Sequence, residues 1–412
     1  VELSYFFDGL SLTFGLLISG IGTLVIIYAG GYLAGYATQG RFFSFLFLFM
    51  GAMLGLVSAD NLYTFFVLWE MTSITSFLLI GFDHKREASR RAALQALVIT
   101  GGGGLILMAG IIVLNIITGV HSLSEILASG EVVRESPLYA LAFILVLGGC
   151  FTKSAQFPLH FWLPSSYAEA PAPVAALFAI MTKVGAYAII RVYTLIFPPD
   201  LEVTAGLHNT WLLPAALVSL AVGMIGVLAA RRFDRLVAFS IIGSMGMVLV
   251  SIALFTPAGI AAALYYIVHS TFAGAALFLI VDLVRGRRAN LELTAQAPIA
   301  GATITAGLFF VAAIAMAGLP PLSGFLGKLL VLDAAFGSDL MVWVWAVVLC
   351  SSLISILGFA RAGSILFWKA QSVAVPEGTD TSAPPATMCY VAIGGLITLL
   401  ALHTVFAGQV HR

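Results

Sequence analysis

Apolar runs of about twenty residues recur along this chain, the length an α-helix needs to cross the hydrocarbon core of a bilayer. Backbone amides inside a bilayer have no water to bond. Runs of this length therefore fold as membrane-spanning helices, which satisfy their own amides, and not as strands with open edges. Windows between polar or Gly/Pro punctuation predict about twelve spans, over 10–36, 42–59, 62–82, 92–118, 138–163, 172–197, 210–230, 236–255, 259–284, 301–336, 340–368 and 387–408. The expected fold is thus an all-α membrane protein.

Charged residues make up only 9% of the sequence, against roughly 25% in soluble domains. Nineteen basic and nineteen acidic residues balance, so the overall charge gives no reason to expect a nucleic-acid partner. Cys150, Cys350 and Cys389 sit in or beside apolar segments without metal-ligand or redox spacing, and read as packing residues. Neither metal nor cofactor is expected. The chain starts at Val1 without methionine, and its first apolar run is too long for a signal peptide, so the true N-terminus is expected to lie before Val1.

The loops test the division into spans. Those after odd-numbered spans hold Arg41, then Lys85, Arg86, Arg90 and Arg91, then Arg231, Arg232 and Arg235, then Arg285, Arg287 and Arg288, then Arg361 and Lys369. The opposite side has Arg134, Arg191 and Arg412. The positive-inside rule makes the odd loops cytoplasmic and places both chain ends outside. "DHKREASRR" (83–91) reads as a cytoplasmic turn, and 121–137 as a short amphipathic helix or loop at the surface.

The remaining basic residues, Lys153, Lys183 and Lys328, all fall inside apolar spans. A lysine at mid-span costs about 2.5–3.5 kcal/mol on insertion scales, so such residues face a bundle interior and a partner. Glu70, in "FFVLWEMTSITSFLL", is the acid at the centre of a span and is expected to pair with Lys153. A static buried bridge between them is the alternative to a proton-handling pair.

Two spans are interrupted. The fifth breaks at "FTKSAQFPLHFWLP" (151–164), where Pro158 and Pro164 remove amide donors, and the tenth at "GLPPLSG" (318–324). Carbonyls freed at membrane depth need protein or water, and water beside a desolvated amine is what proton transfer requires. Lys153 either titrates at this gap or caps the carbonyls of its own half-helix. Lys328 opens the second half of its broken span, where a cation opposes the helix dipole, which favours a titrating role. His269 is mid-span and can hold or release a proton near neutral pH, although a buried histidine also serves as a hydrogen-bonded core residue. Accessory candidates are His160, inside the first break, and Asp60, which with Asn61 also reads as an N-cap of the third span. The run "TGGGG" (100–104) has no P-loop lysine and reads as close helix packing.

The breaks lie five spans apart. That predicts an N-terminal helix (1–41), two inverted five-span repeats (42–197 and 210–368) and a C-terminal helix (387–412), a plan used by ion and solute transporters.

"LWEMTSITSFLLIGF", "FTKSAQFPLHFWLP", "APAPVAALFAIMTKVGAY" and "AGLPPLSGFLGKLL" resemble the antiporter-like subunits of Mrp multisubunit sodium/proton antiporters and of the complex I membrane arm. Residues 1 to about 160 resemble the A-type subunit, whereas the remainder resembles the D-type subunit. The resemblance implies a fourteen-helix core of which two helices precede Val1. It implies that Glu70 modulates Lys153, that Lys153 and Lys328 are the broken-helix lysines, and that Lys183 bridges between them. His269 falls in a motif whose complex I members carry a lysine four residues later, where this chain has Ala273. The expectation is a proton-translocating, non-enzymatic subunit of a cation (Na+)/proton antiporter in a bacterial cell membrane, assembled with other Mrp subunits. The alternatives are a non-conducting scaffold and a proton-pumping complex I subunit.

Overall fold

The computed structural model describes residues 4–128, 135–195, 211–373 and 385–410. Arg134, His208, His411 and Arg412 lie outside the described residues, as do parts of the predicted 121–137 surface segment. The described chain is a succession of helices: α1 (Gly9–Tyr32), α2 (Gln39–Ser58), α3 (Leu62–Ile80), α4 (Glu87–Thr118), α5 (Leu123–Ala128), α6 (Tyr139–Lys153), α7 (Trp162–Glu169) and α8 (Ala172–Leu195). They continue as α9 (Leu213–Ala229), α10 (Phe233–Ala253), α11 (Pro257–Arg285), α12 (Ala302–Ala317), α13 (Ser323–Ala334), α14 (Met341–Gly363) and α15 (Thr387–Val405). Among the described residues nine helices are long and apolar enough to cross a membrane. The shorter apolar helices α6, α9 and α12 complete the twelve predicted segments. The protein is an all-α, multi-pass membrane protein.

The fifth and tenth predicted spans are each two helices, α6/α7 and α12/α13, parted at the two proline-containing stretches. One boundary differs from expectation. Residues 87–91 are not a turn: α4 begins at Glu87, whose acid sits in the first turn and pairs with Arg91 at 2.5 Å. An acid at a helix N-terminus with a cation one turn later stabilises helix in a segment whose polarity alone suggests a loop.

The chain divides into two compact units. The first comprises 1–22, 37–171 and 180–215, and the second 23–36, 172–179 and 216–412. In the first unit, α4 and α6 approach backbone to backbone. A Cβ on Gly103 would lie 1.8 Å from Thr152 Oγ1, and one on Gly149 would lie 2.9 Å from the Gly103 carbonyl. The glycine run thus packs as small residues do between membrane helices. In the second unit, Gly324 and Gly327 on α13 play the same part against α11, meeting His269 and Tyr266.

The end of the first unit that holds the start of α1 and the last turns of α8 is tied by a polar cluster. Arg191 on α8 forms a two-pronged pair with Asp8 (2.5 and 2.7 Å), donates to Ser11 Oγ (2.9 Å) and to Tyr187 Oη (3.1 Å), and Tyr187 donates to the Val57 carbonyl (2.8 Å). The guanidinium and its hydrogen bonds hold the Asp8 carboxyl well below the usual carboxylate range. Asn61 caps α3 as expected, accepting from the amides of Tyr63 (2.9 Å) and Thr64 (3.2 Å). Asp60 does not share that cap. It accepts from Ser122 Oγ (2.5 Å), Ser124 N (3.1 Å) and Ser124 Oγ (3.2 Å), and so orders the start of α5.

Candidate proton-handling site

Lys153 is the last residue of α6, and it is 1% exposed. The carbonyls freed where α6 stops do not depend on its amine. Ser154 N (3.0 Å) and Ser154 Oγ (2.6 Å) bond the Cys150 carbonyl, Gln156 N (3.0 Å) bonds that of Phe151, and the Trp162 indole (3.1 Å) bonds that of Thr152. Ala155 adopts a left-handed φ of +50° to make this turn, and the Phe157–Pro158 peptide is cis. The Lys153 ammonium instead reaches across to α3. It donates to the Trp69 carbonyl (3.0 Å), to Thr72 Oγ1 and to Ser73 Oγ (3.1 Å), and stands 4.8 Å from the centre of the Trp69 ring. Three donors meet three acceptors, so the buried cation is satisfied without a counter-charge in contact.

Glu70 follows Trp69 on α3 and points elsewhere. Its carboxyl lies in a notch on α4, where a Cβ on Gly104 would stand 1.6 Å from Oε1 and one on Gly101 would stand 3.6 Å from Oε2. Oε1 is buried without a hydrogen-bond partner among the described residues. The expected Glu70–Lys153 ion pair is therefore not closed in this conformation, because the hydroxyls of Thr72 and Ser73 occupy the ammonium. The two charges remain within electrostatic reach of one another.

The break itself carries one polar group that the sequence reading passed over, Gln156, beside the expected His160. Gln156 is fully buried, and neither amide atom has a hydrogen-bond partner among the described residues. His160 lies at the half-buried side of the break, stacked 5.8 Å from Phe157, with its buried Nδ1 likewise lacking a partner among them. Lys183 is fully buried on α8, which passes close to the break: a Cβ on Gly185 would come within 2.8 Å of Ser154 N.

The second unit holds the corresponding groups differently. α12 stops at Gly318, which has φ +73° and whose amide returns to the carbonyls of Ala315 and Ile314. Lys328 on α13 is 6% exposed, and its ammonium donates to the freed carbonyl of Ala317 (2.6 Å) and to Ser352 Oγ on α14 (2.9 Å). Its amine thus sits at the C-terminal end of the preceding half-helix, where a cation is favoured, and not against its own helix N-terminus. His269, fully buried on α11, bonds Ser323 Oγ through Nδ1 at 2.9 Å. This joins the histidine to the first residue of α13, the helix that carries Lys328.

Sequence reasoning missed Thr72, Ser73, Gln156, Ser323 and Ser352. A signal was available for two of them. Trp69, Thr72 and Ser73 lie three and four residues apart, so a helix puts them on one face, and hydroxyls in an otherwise apolar span mark a buried polar contact. Among the described residues no cluster of three His, Cys, Asp or Glu side chains could hold a metal ion.

Comparison with known proteins shows which family the chain belongs to. The family model described as NADH:quinone oxidoreductase/Mrp antiporter, TM, matches residues 59–355, and that of the complex I chain 5 N-terminus matches residues 1–43. The probable A/B subunit of a K(+)/H(+) antiporter from Rhizobium meliloti (strain 1021) is 41% identical over 329 residues, 78% of this chain and 32% of the relative. The A1 subunit of a Na(+)/H(+) antiporter from Staphylococcus haemolyticus (strain JCSC1435) is 38% identical over 356 residues, 81% of this chain and 43% of the relative. The chain thus spans less than half the length of either relative, and its likeness to A-type subunits continues well beyond residue 160. Respiratory complex I from Thermus thermophilus contains a chain that matches with a TM-score of 0.82 at 27% identity, over 99% of this chain and 83% of that one. With the family model matching most of its length, the chain belongs to the NADH:quinone oxidoreductase/Mrp antiporter transmembrane family.

Proposed function

We propose that this chain forms the proton-translocating core of one subunit in a hetero-oligomeric antiporter that exchanges protons for an alkali cation, Na+ in our reading. One observation carries the proposal: the buried ammonium of Lys153 is held by neutral acceptors on α3, while Glu70, one residue from the Trp69 acceptor, keeps a carboxylate oxygen in the Gly104 notch with no hydrogen-bond partner among the described residues. A lysine held by hydroxyls and a carbonyl can give up its proton without stranding a contact counter-ion. A carboxylate free to swing toward it would favour the charged form. Closing and opening that pair would load and unload Lys153.

The break after Lys153 supplies the route in. Gln156 offers an amide whose donor and acceptor are both unmet by the described residues, and buried groups of this kind take up water. Lys183 in the first unit, then His269 and Lys328 in the second, would carry the proton onward. The neighbouring groups of Lys328, the Ala317 carbonyl and Ser352, can hold either protonation state of the amine. Both ends of the chain would lie on the outer side of a bacterial cell membrane, with the arginine-rich loops in the cytoplasm. The partners would be the other subunits of the antiporter.

Proteoliposomes containing the assembled complex test this reading. Lys153→Ala and Glu70→Ala are each expected to abolish most cation-dependent proton movement. Full movement in both variants would sink it, and would favour a scaffold whose buried charges are structural. The likeness to the complex I chain favours a second reading, a proton pump driven by quinone reduction in other subunits. The proteins that co-purify with the full-length chain decide between the two.

A further inference from the structure

We propose that the loop end of the α2–α3–α4 bundle binds a phospholipid with an anionic headgroup. A groove of about 390 Å³ opens there. Its rim is formed by Arg41 in the first turn of α2, His84 in the α3–α4 turn and Arg90 in the first turn of α4, and the two guanidiniums make it cationic. Its walls are apolar, formed by Phe45 one turn deeper on α2, Phe77 and Leu78 in the last turn of α3, and Leu94 in the second turn of α4. Charge therefore lies where α2 and α4 begin and α3 ends, and apolar surface lies one turn toward the middle of the spans. That is the polarity profile of a phospholipid at the edge of a bilayer.

The charges at the rim are available. The other basic residues of this turn that pair do so with acids within the chain: Arg86 with Glu169 and Arg91 with Glu87, both at 2.5 Å. Arg90 is exposed and has no acidic partner among the described residues, and Arg41 rests on the Phe82 ring, whose centre lies 4.9 Å from its guanidinium carbon. Arg41 and Phe82 both line the groove, so this contact keeps the guanidinium beside it. Arginines in this arrangement suit a phosphate, and the aromatic and aliphatic walls below suit the start of an acyl chain. A zwitterionic lipid would meet the same walls but gain less from the rim, so the groove selects for net negative charge.

Native mass spectrometry of the full-length protein, purified with its partner subunits, stripped of lipid and titrated with phosphatidylglycerol or phosphatidylcholine, tests the assignment. The wild type is expected to retain at least one phosphatidylglycerol in preference to phosphatidylcholine. Arg90→Gln, which breaks no ion pair among the described residues, should weaken that binding roughly fivefold, the effect of about 1 kcal/mol per basic residue at an anionic lipid, and leave phosphatidylcholine binding unchanged. Leu94→Trp, which fills the groove, should remove the site for both lipids. Equal binding of the two lipids by the wild type, or an Arg90→Gln variant that binds phosphatidylglycerol as the wild type does, would overturn the proposal.

Discussion

Lys153, at the end of α6, donates to the Trp69 carbonyl on α3 at 3.0 Å and leaves the freed carbonyls of its own helix to Ser154, Gln156 and Trp162. Its position is therefore set by α3. Hydrogen bonds to a charged group contribute about 1.5–3 kcal/mol each, so Thr72→Val, which removes one acceptor, should slow cation-dependent proton flux by on the order of tenfold. Lys153→Ala should cost roughly a hundredfold or more, the range for loss of a proton-transferring group. Fluorescent proton-uptake assays on proteoliposomes measure both. A Thr72→Val variant with wild-type flux would show that the hydroxyl only fills space.

The notch at Gly104 makes a sharper demand. A methyl there would overlap Glu70 Oε1, whereas a Cβ on Gly102, two residues earlier, would meet nothing within 4 Å. Gly104→Ala should therefore reduce transport nearly as far as Glu70→Ala, while Gly102→Ala should transport normally. The overlapping atoms belong to the free end of the Glu70 side chain, which can move aside, so thermal stability should change little in either glycine variant. Equal behaviour of the two glycine variants would show that the carboxyl does not depend on the notch.

Gly318 joins backbone and site in the second unit. It has φ +73°, and a Cβ on it would come within 2.7 Å of the Lys328 side chain. Alanine there would meet strain from the left-handed backbone, about 1–2 kcal/mol, and would push the Lys328 amine from the Ala317 carbonyl. Gly318→Ala is expected to lower both melting temperature and proton flux, whereas Ser352→Ala should reduce flux with little loss of stability. Unchanged flux in Gly318→Ala would detach Lys328 from the mechanism.

Asp8 offers a test of stability against pH. Arg191 depresses its folded-state pKa, so the pair stabilises the fold fully above the ordinary aspartate value of about 4 and loses that contribution as pH falls through the lowered value. Asp8→Asn should lower the melting temperature of the detergent-solubilised protein at pH 7 by on the order of a few degrees. The gap between variant and wild type should persist to about pH 4 and narrow only below it. A gap that closes between pH 6 and 5 would mean that another group sets it.

The helices, their order and the two breaks were legible in the sequence, because each rests on local physics. A run of about twenty apolar residues has few folds open to it in lipid, and Pro158, Pro320 and Pro321 interrupt a helix wherever it packs. The buried lysines were legible for the same reason, since a cation in an apolar run stands out without reference to its neighbours. Which group each cation touches was not. Glu70 is the acid nearest the expected site, and pairing it with Lys153 follows from charge alone, yet helix rotation presents Thr72 and Ser73 to the amine and turns the carboxyl toward Gly104. Lys328 looked misplaced at a helix N-terminus, and only the return of α12 beside it supplies the Ala317 carbonyl that it meets. The role of Asp60 likewise depended on α5 folding back over it. Insertion into a bilayer is decided segment by segment. Contacts between helices depend on rotation and approach distance, and in this chain glycines at Gly103, Gly104 and Gly324 set those distances.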